Sequence, residues 1–117
     1  MPACMARRDL TGAVDFDYLE GYAGGDQAVV DEVLGLFRQQ AELWSRMLDP
    51  AELGWRDAVH TVKGAARGVG ARALAEACEA AEEGRGTVRN ARHQLDLALA
   101  DIAAYEHEQA LRSLRPG

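Results

Sequence analysis

HTVKGAARGVG (residues 60–70) sets one histidine, one lysine, one arginine and three glycines within an otherwise apolar, alanine-rich run. Around this run, apolar residues recur at alternating steps of four and three, at Trp55, Val59, Val62, Ala66 and Val69. That period predicts an amphipathic helix over roughly Trp55–Arg67, with Gly68 and Gly70 ending it. The polar residues of the stretch fall outside the apolar stripe.

Four further helices are predicted from the same periodicity and from capping residues. Their expected bounds are Asp15–Tyr22, Asp26 to about Leu48, Ala71 to about Glu83, and Val88 to about Leu114. Asp15, Asp26 and Thr87 have the side chains preferred at helix N-caps. Asp49-Pro50-Ala51-Glu52 is also a helix-start signal, but Gly54 follows so soon that we expect a separate turn there.

Composition points to an all-α protein, because alanine dominates the apolar residues while isoleucine occurs once, at Ile102. The turns between the long helices are short, which favours antiparallel neighbours. We therefore predict an antiparallel up-down four-helix bundle with a short extra N-terminal helix. Residues 1–13 lack periodicity and are expected to form a flexible arm, and residues 14–117 a single domain.

The formal net charge of −6 argues against a nucleic-acid partner, which requires a basic surface. Two cysteines, Cys4 and Cys78, make no disulfide framework, so we expect a cytoplasmic protein, and Cys78 has the spacing of a core residue. No apolar run is long enough to span a membrane. His93 and His107 are too far apart on one helix to share a metal ion, so no metal site is expected.

One outward face of the predicted third helix carries His60, Lys63, Gly64 and Arg67, because about 100° separates successive residues. Neutral imidazole is a nucleophile near pH 7, and the two cations could balance the charge of a phosphoryl group. Gly64 would leave room for a partner approaching the ring, at a cost of about 1 kcal/mol to the helix.

Simpler interpretations accompany each of these residues. His60 could be a solvated or capping histidine, Lys63 could be merely solvated, and Gly64 could instead permit close helix packing. Gly68 and Gly70 are expected to be structural helix terminators. Three acidic residues of the fourth helix are expected to form a solvated face: Glu79, Glu82 and Glu83.

The spacing of histidine, lysine three residues on, glycine four on and a further glycine ten on resembles the signature of histidine-containing phosphotransfer (HPt) domains. The similarity continues through Leu74, Cys78 and Glu79. It implies a helical bundle whose exposed histidine takes a phosphoryl group from a receiver-domain aspartate and passes it to another. By this resemblance His60 is phosphorylated through Nε2, Lys63 is its charge partner and Gly64 the clearance position.

The resulting hypothesis is a histidine phosphotransfer protein of a two-component phosphorelay, acting as a monomer on response-regulator receiver domains. A hybrid histidine kinase is a further candidate partner. No nucleotide-binding loop is evident, so we expect a phosphocarrier without autonomous kinase activity, with Mg²⁺ on the receiver only. The alternative is a helical adaptor that binds such partners without phosphotransfer. Candidate docking residues are Arg67, Gly68, Tyr18, Tyr22 and Leu36.

Overall fold

The computed structural model describes residues 11–114, and its regular structure is entirely helical. It contains five helices, which are α1 (Phe16–Tyr22), α2 (Gln27–Met47), α3 (Trp55–Val69), α4 (Arg72–Glu82) and α5 (Val88–Ser113). Within this described part of the chain there is no strand. The all-α prediction is therefore confirmed, with five helices at close to the expected positions.

Three helices begin at the predicted capping residues. The Asp15 carboxylate accepts a hydrogen bond from the backbone N–H of Tyr18, at 3.0 Å. Asp26 caps α2, and the Thr87 hydroxyl accepts from the backbone N–H of Asn90 at 3.1 Å to cap α5. Each cap satisfies a donor that the first turn of a helix leaves without an intrahelical partner.

The segment between α2 and α3 forms the separate turn expected from the early glycine. The Asp49 carboxylate accepts from the backbone N–H of Ala51 at 2.8 Å, as a capping aspartate would, but no helix follows. Instead α3 begins at Trp55, with Gly54 at its N-cap position and no side-chain cap.

The end of α3 differs from the prediction. The helix continues through Gly68 to Val69, and Gly70 alone ends it, in the left-handed conformation with φ of 81°. Helix propensity alone would end the helix at Gly68. Because Val69 is buried, its apolar contacts stabilise one further position of the last turn. The Gly70 carbonyl also accepts from the backbone N–H of Asp15 at 2.9 Å, which holds the start of α1 against the end of α3.

The four long helices surround one apolar core. Helix α3 contacts α2 and α4, and α5 contacts α4 and α2, while α1 lies against α2 and α3. The apolar stripe predicted for α3 lines this core, and Trp55 alone among its five residues is partly exposed. No helix within residues 11–114 is both long enough and apolar enough to cross a bilayer.

A buried carboxylate, Asp101 of α5, ties the residues before α1 to the bundle. It accepts hydrogen bonds from the backbone N–H groups of Thr11, Ala13 and Val14, and a further bond from the Thr11 hydroxyl. Burying a carboxylate is unfavourable unless its oxygens are paired, and these donors pair them. Residues 1–10 of the predicted flexible arm lie outside the described residues, whereas residues 11–13 are held by these bonds.

Gly70 provides a test of how closely α1 approaches α3. A Cβ atom added to Gly70 would lie 3.0 Å from the Asp15 carbonyl oxygen and 3.1 Å from Cδ2 of Tyr18. We expect Gly70→Ala to lower the free energy of unfolding by about 2 kcal/mol or more, because a left-handed non-glycine residue and a steric overlap both cost stability.

Gly84 is the matched control, because its φ of 76° is also left-handed but an added Cβ would meet nothing within 4 Å. Gly84→Ala should therefore cost only the backbone term, about 1 kcal/mol. Urea unfolding of the two variants measures both losses. Equal losses would mean that α1 does not restrain position 70.

Candidate phosphotransfer site on α3

The exposed side of α3 carries His60, as its spacing predicts. Val59 and Val62 on either side of it in sequence are completely buried, while the His60 side chain is 73% exposed. The imidazole is held at one edge only, where its Nδ1 atom lies 3.0 Å from Oε2 of Glu82 on α4. The opposite ring nitrogen, Nε2, is therefore the one available to a partner.

Glu82 connects His60 to Lys63. One carboxylate oxygen faces His60 Nδ1, and the other forms an ion pair with the ammonium group of Lys63. The Lys63 side chain is only 17% exposed, so it lies along the helix pair and not free in solvent. This bridging carboxylate fixes the relative positions of the two α3 side chains.

The charge of Glu82 is favoured by the groups it bridges. The hydrogen bond from Lys63 lowers the pKa of the Glu82 carboxyl. Partial burial raises this pKa, and the hydrogen bond from His60 lowers it further. Glu82 is therefore ionised at neutral pH. An ionised carboxylate only accepts hydrogen bonds, so neutral His60 must carry its proton on Nδ1 and its lone pair on Nε2.

Cys78 lies one helical turn before Glu82 and is fully buried. Burial raises the pKa of the Cys78 thiol to about 11, and the nearby Glu82 charge contributes to this rise. The thiol is consequently neutral at physiological pH and is unsuited to redox or nucleophilic chemistry. Cys78 is a core residue, as its spacing predicts.

The prediction of a solvated acidic face on α4 is wrong for Glu82, because its carboxylate contacts side chains of α3. Glu79 also faces α3, with its carboxylate 3.6 Å from the Arg67 guanidinium, and only Glu83 pairs within its own turn region, with Arg85. The periodicity of α4 alone could not distinguish solvent from a neighbouring polar side chain. The spacing along the chain is the signal that could have identified this contact. Glu82 follows the Gly70 turn by about as many residues as His60 precedes it.

Gly64 leaves the surface beside His60 open. A Cβ atom added at Gly64, or at Gly68 one turn later, would meet nothing within 4 Å. Gly64 therefore does not serve close packing between helices, and that alternative is contradicted. Both glycines instead leave a strip of α3 without side chains next to the imidazole.

An apolar groove between α2 and α3 adjoins this strip. Leu36, 53% exposed, and Gly68 both line it, together with Val33, Phe37, Gln40, Trp44, Thr61, Ala65 and Val69. Tyr18 and Tyr22 lie elsewhere, on α1. Tyr18 lines a different cavity, with Arg67 and Gly70, near the far end of α3. The structure thus brings Leu36 and Gly68 together in one groove along α3, but neither tyrosine lines it.

Comparison with known proteins agrees with this geometry. The sequence profile of the Hpt domain matches residues 31–114. The solved structure of the histidine phosphotransferase ShpA from Caulobacter crescentus is similar, with 68% sequence identity and a TM-score of 0.86, covering 89% of this chain and 100% of that one. A search of curated proteins found no match.

The matched region includes all of α3, α4 and α5 and most of α2, which is well over half of the chain. The chain belongs to the Hpt domain family. Its role is histidine phosphotransfer in a phosphorelay, as the sequence predicts.

Proposed function

We propose that His60 is the residue that receives the phosphoryl group, through Nε2, from an aspartyl phosphate of a receiver domain, and passes it to a second receiver aspartate. The observation that carries this assignment is the Glu82 carboxylate on His60 Nδ1, which leaves Nε2 unprotonated and exposed. His93 and His107 are also exposed on α5, but neither has a carboxylate contact within the described residues.

The transfer needs no proton to leave His60. The Nε2 lone pair forms the N–P bond while the P–O bond to the receiver aspartate breaks, and that aspartate departs as a carboxylate. Because Nδ1 keeps its proton, the phosphorylated ring carries a positive charge, which lies 3.0 Å from the negative Glu82 oxygen. Onward transfer to a second aspartate is the same step in reverse, and it restores neutral imidazole.

Lys63 is the proposed charge partner of the phosphoryl oxygens. Its ion pair with Glu82 keeps the ammonium group beside His60 and prevents it from ranging through solvent. Because the ammonium group is already positioned, less conformational entropy is lost when it pairs with the phosphoryl oxygens. Arg67 is two turns beyond His60 and already faces Glu79, so its proposed role is a contact with the partner.

The receiver is proposed to dock over the groove between α2 and α3, with Leu36 at its centre and Gly64 giving clearance to the receiver aspartate. An apolar centre with polar surroundings is common in transient interfaces. Tyr18 and Tyr22 are outside this area, so they would contact only a partner that extends around the bundle. Mg²⁺ is assigned to the receiver, and the protein is proposed to act as a monomeric carrier in the cytoplasm, with no kinase activity of its own.

The helix contacts support the antiparallel up-down arrangement as the finer description of the bundle. Contacts between α3 and α4 pair residue 60 with 82 and residue 67 with 79, so the residue numbers run in opposite directions. Each long helix touches the next in sequence, and α5 closes the ring onto α2. The proposed fold is four antiparallel helices with α1 added across α2 and α3.

His60→Gln separates phosphotransfer from simple partner binding. Each receiver domain of the source cell is phosphorylated with radiolabelled acetyl phosphate and mixed with the wild-type protein or the variant. We expect wild type to take label that is stable to alkali and labile to acid, because an N–P bond behaves in this way. His60→Gln should take none but bind the same receiver with similar affinity. Label remaining on His60→Gln would assign another acceptor, and binding without any transfer to wild type would establish the adaptor alternative.

Gly64→Gln tests the clearance assigned to Gly64. Open space around position 64 means that the new side chain fits the bundle, and loss of a helical glycine should stabilise it by about 0.5–1 kcal/mol. We nevertheless expect transfer from the receiver to fall at least tenfold, because glutamine would occupy the approach to Nε2. Thermal unfolding and labelling rates measure the two effects on one sample.

Gly21→Gln is the matched control, since Gly21 is helical, lies on α1 and also has no atom within 4 Å of an added Cβ. Its transfer rate should stay within about twofold of wild type. A Gly64→Gln protein that transfers as fast as Gly21→Gln would show that the receiver aspartate does not approach over position 64.

A further inference from the structure

The exposed face of α3 carries a third cation that phosphotransfer chemistry does not use. Arg56 lies one turn before His60, as Lys63 and Arg67 lie one and two turns after it. Lys63 pairs with Glu82 and Arg67 faces Glu79. Within residues 11–114 Arg56 forms no ion pair, although its side chain is exposed. It is therefore the cation on this face whose charge remains available.

The Arg56 guanidinium is nevertheless held in place. Its central carbon lies 4.5 Å from the centre of the Trp55 ring, in a cation–π contact. Such a contact restrains the side chain without neutralising its charge. Arginine keeps several N–H donors free when it stacks on an aromatic ring, so it can still pair with a carboxylate.

The orientation of Arg56 separates it from the phosphoryl site. Side chains on a helix lean toward its N-terminus, and the stack on Trp55 holds the guanidinium toward the start of α3. His60 Nε2 lies one turn further along. The Arg56 guanidinium is thus directed away from the imidazole, where it would meet the surface of a docked partner and not the transferred phosphoryl group.

The surroundings of Arg56 also suit a partner surface. Leu53, in the turn before α3 and three residues before Arg56 in sequence, is an apolar residue whose side chain is fully exposed. The chain as a whole has a formal net charge of −6, which opposes the approach of an acidic partner. The Arg56 guanidinium, one helical turn before His60, opposes that repulsion locally.

From these contacts we infer that Arg56 is a specificity-determining residue that pairs with a surface carboxylate of the receiver domain docked over His60. The inference rests on the proposed function, since it requires a receiver on this face of α3. Charges at the rim of an interface mainly affect the association rate and its dependence on salt. Receivers with a carboxylate at the matching position would be favoured over those with a cation there.

The test compares Arg56→Glu and Arg56→Lys with wild type. The donor is the phosphorylated receiver domain that labels wild type fastest, and KM and kcat for transfer are measured at low and high salt. We expect Arg56→Glu to raise KM about tenfold at low salt with kcat unchanged, and high salt to reduce this defect. Arg56→Lys keeps the charge and should recover most of the wild-type KM.

Arg92→Glu is the matched control, because Arg92 is exposed and belongs to another helix, α5, with no part in the α3 face that carries His60. It changes the net charge by the same amount. A KM defect equal in Arg56→Glu and Arg92→Glu would overturn the inference, because it would reflect overall charge. A fall in kcat at constant KM would also overturn it, since Arg56 would then act on the phosphoryl group.

A second donor distinguishes this inference from the proposed function. Phosphoramidate is a small phosphodonor that needs no docking, so Arg56→Glu should lower the receiver-dependent rate relative to the phosphoramidate rate by about tenfold. If wild-type His60 takes label from neither donor, the proposed function fails. Titration of the receiver into His60→Gln with and without Arg56→Glu then decides the matter, because about tenfold weaker binding supports the Arg56 contact and equal binding removes it.

Discussion

The packing of α3 against α4 is the constraint on which the site depends. The two helices are joined through Gly70 and Ala71, and their buried faces use small side chains such as Ala66, Ala75 and Cys78. Small side chains allow helix axes to approach closely, so a glutamate on α4 can reach side chains on the outward face of α3. Glu82 consequently meets His60 and Lys63 at the boundary between core and solvent. A wider helix pair would leave the imidazole with no restraint.

This arrangement divides α3 into three surfaces with different chemistry. The buried stripe fixes the rotation of the helix, so His60 must face outward. Toward α4, Lys63 forms an ion pair with Glu82 and Arg67 faces Glu79. Within this network of charges, Glu82 holds the imidazole by Nδ1. Toward α2, Gly64 and Gly68 leave bare backbone beside an apolar groove. The nucleophilic nitrogen thus stands between a restrained polar edge and an open apolar one, which allows a partner to reach Nε2 without disturbing the restraint.

The helices and their caps could be predicted from the sequence because these features are local. Asp15, Asp26 and Thr87 act on the turns that follow them, and apolar periodicity shows which side of each helix is buried. Glu82 and Asp101 were missed for a physical reason. Their partners lie on other segments, 22 residues away for His60 and Glu82 and about 90 for Thr11 and Asp101, and periodicity within one helix contains no record of them. Gly70 was predicted to end α3, but Gly68 was wrongly included because the burial of Val69 outweighs the low helix propensity of glycine.

The protonation of the His60 ring tests this account most directly. Two-bond ¹H–¹⁵N correlation spectra of the ¹⁵N-labelled protein distinguish a protonated ring nitrogen from an unprotonated one. We predict that neutral His60 is protonated on Nδ1 in wild type, that this preference weakens in Glu82→Gln, and that the phosphorylated protein carries phosphorus on Nε2. A wild-type ring protonated mainly on Nε2 and unaffected by Glu82→Gln would contradict the central claim, because the nitrogen offered to the receiver would then have no lone pair.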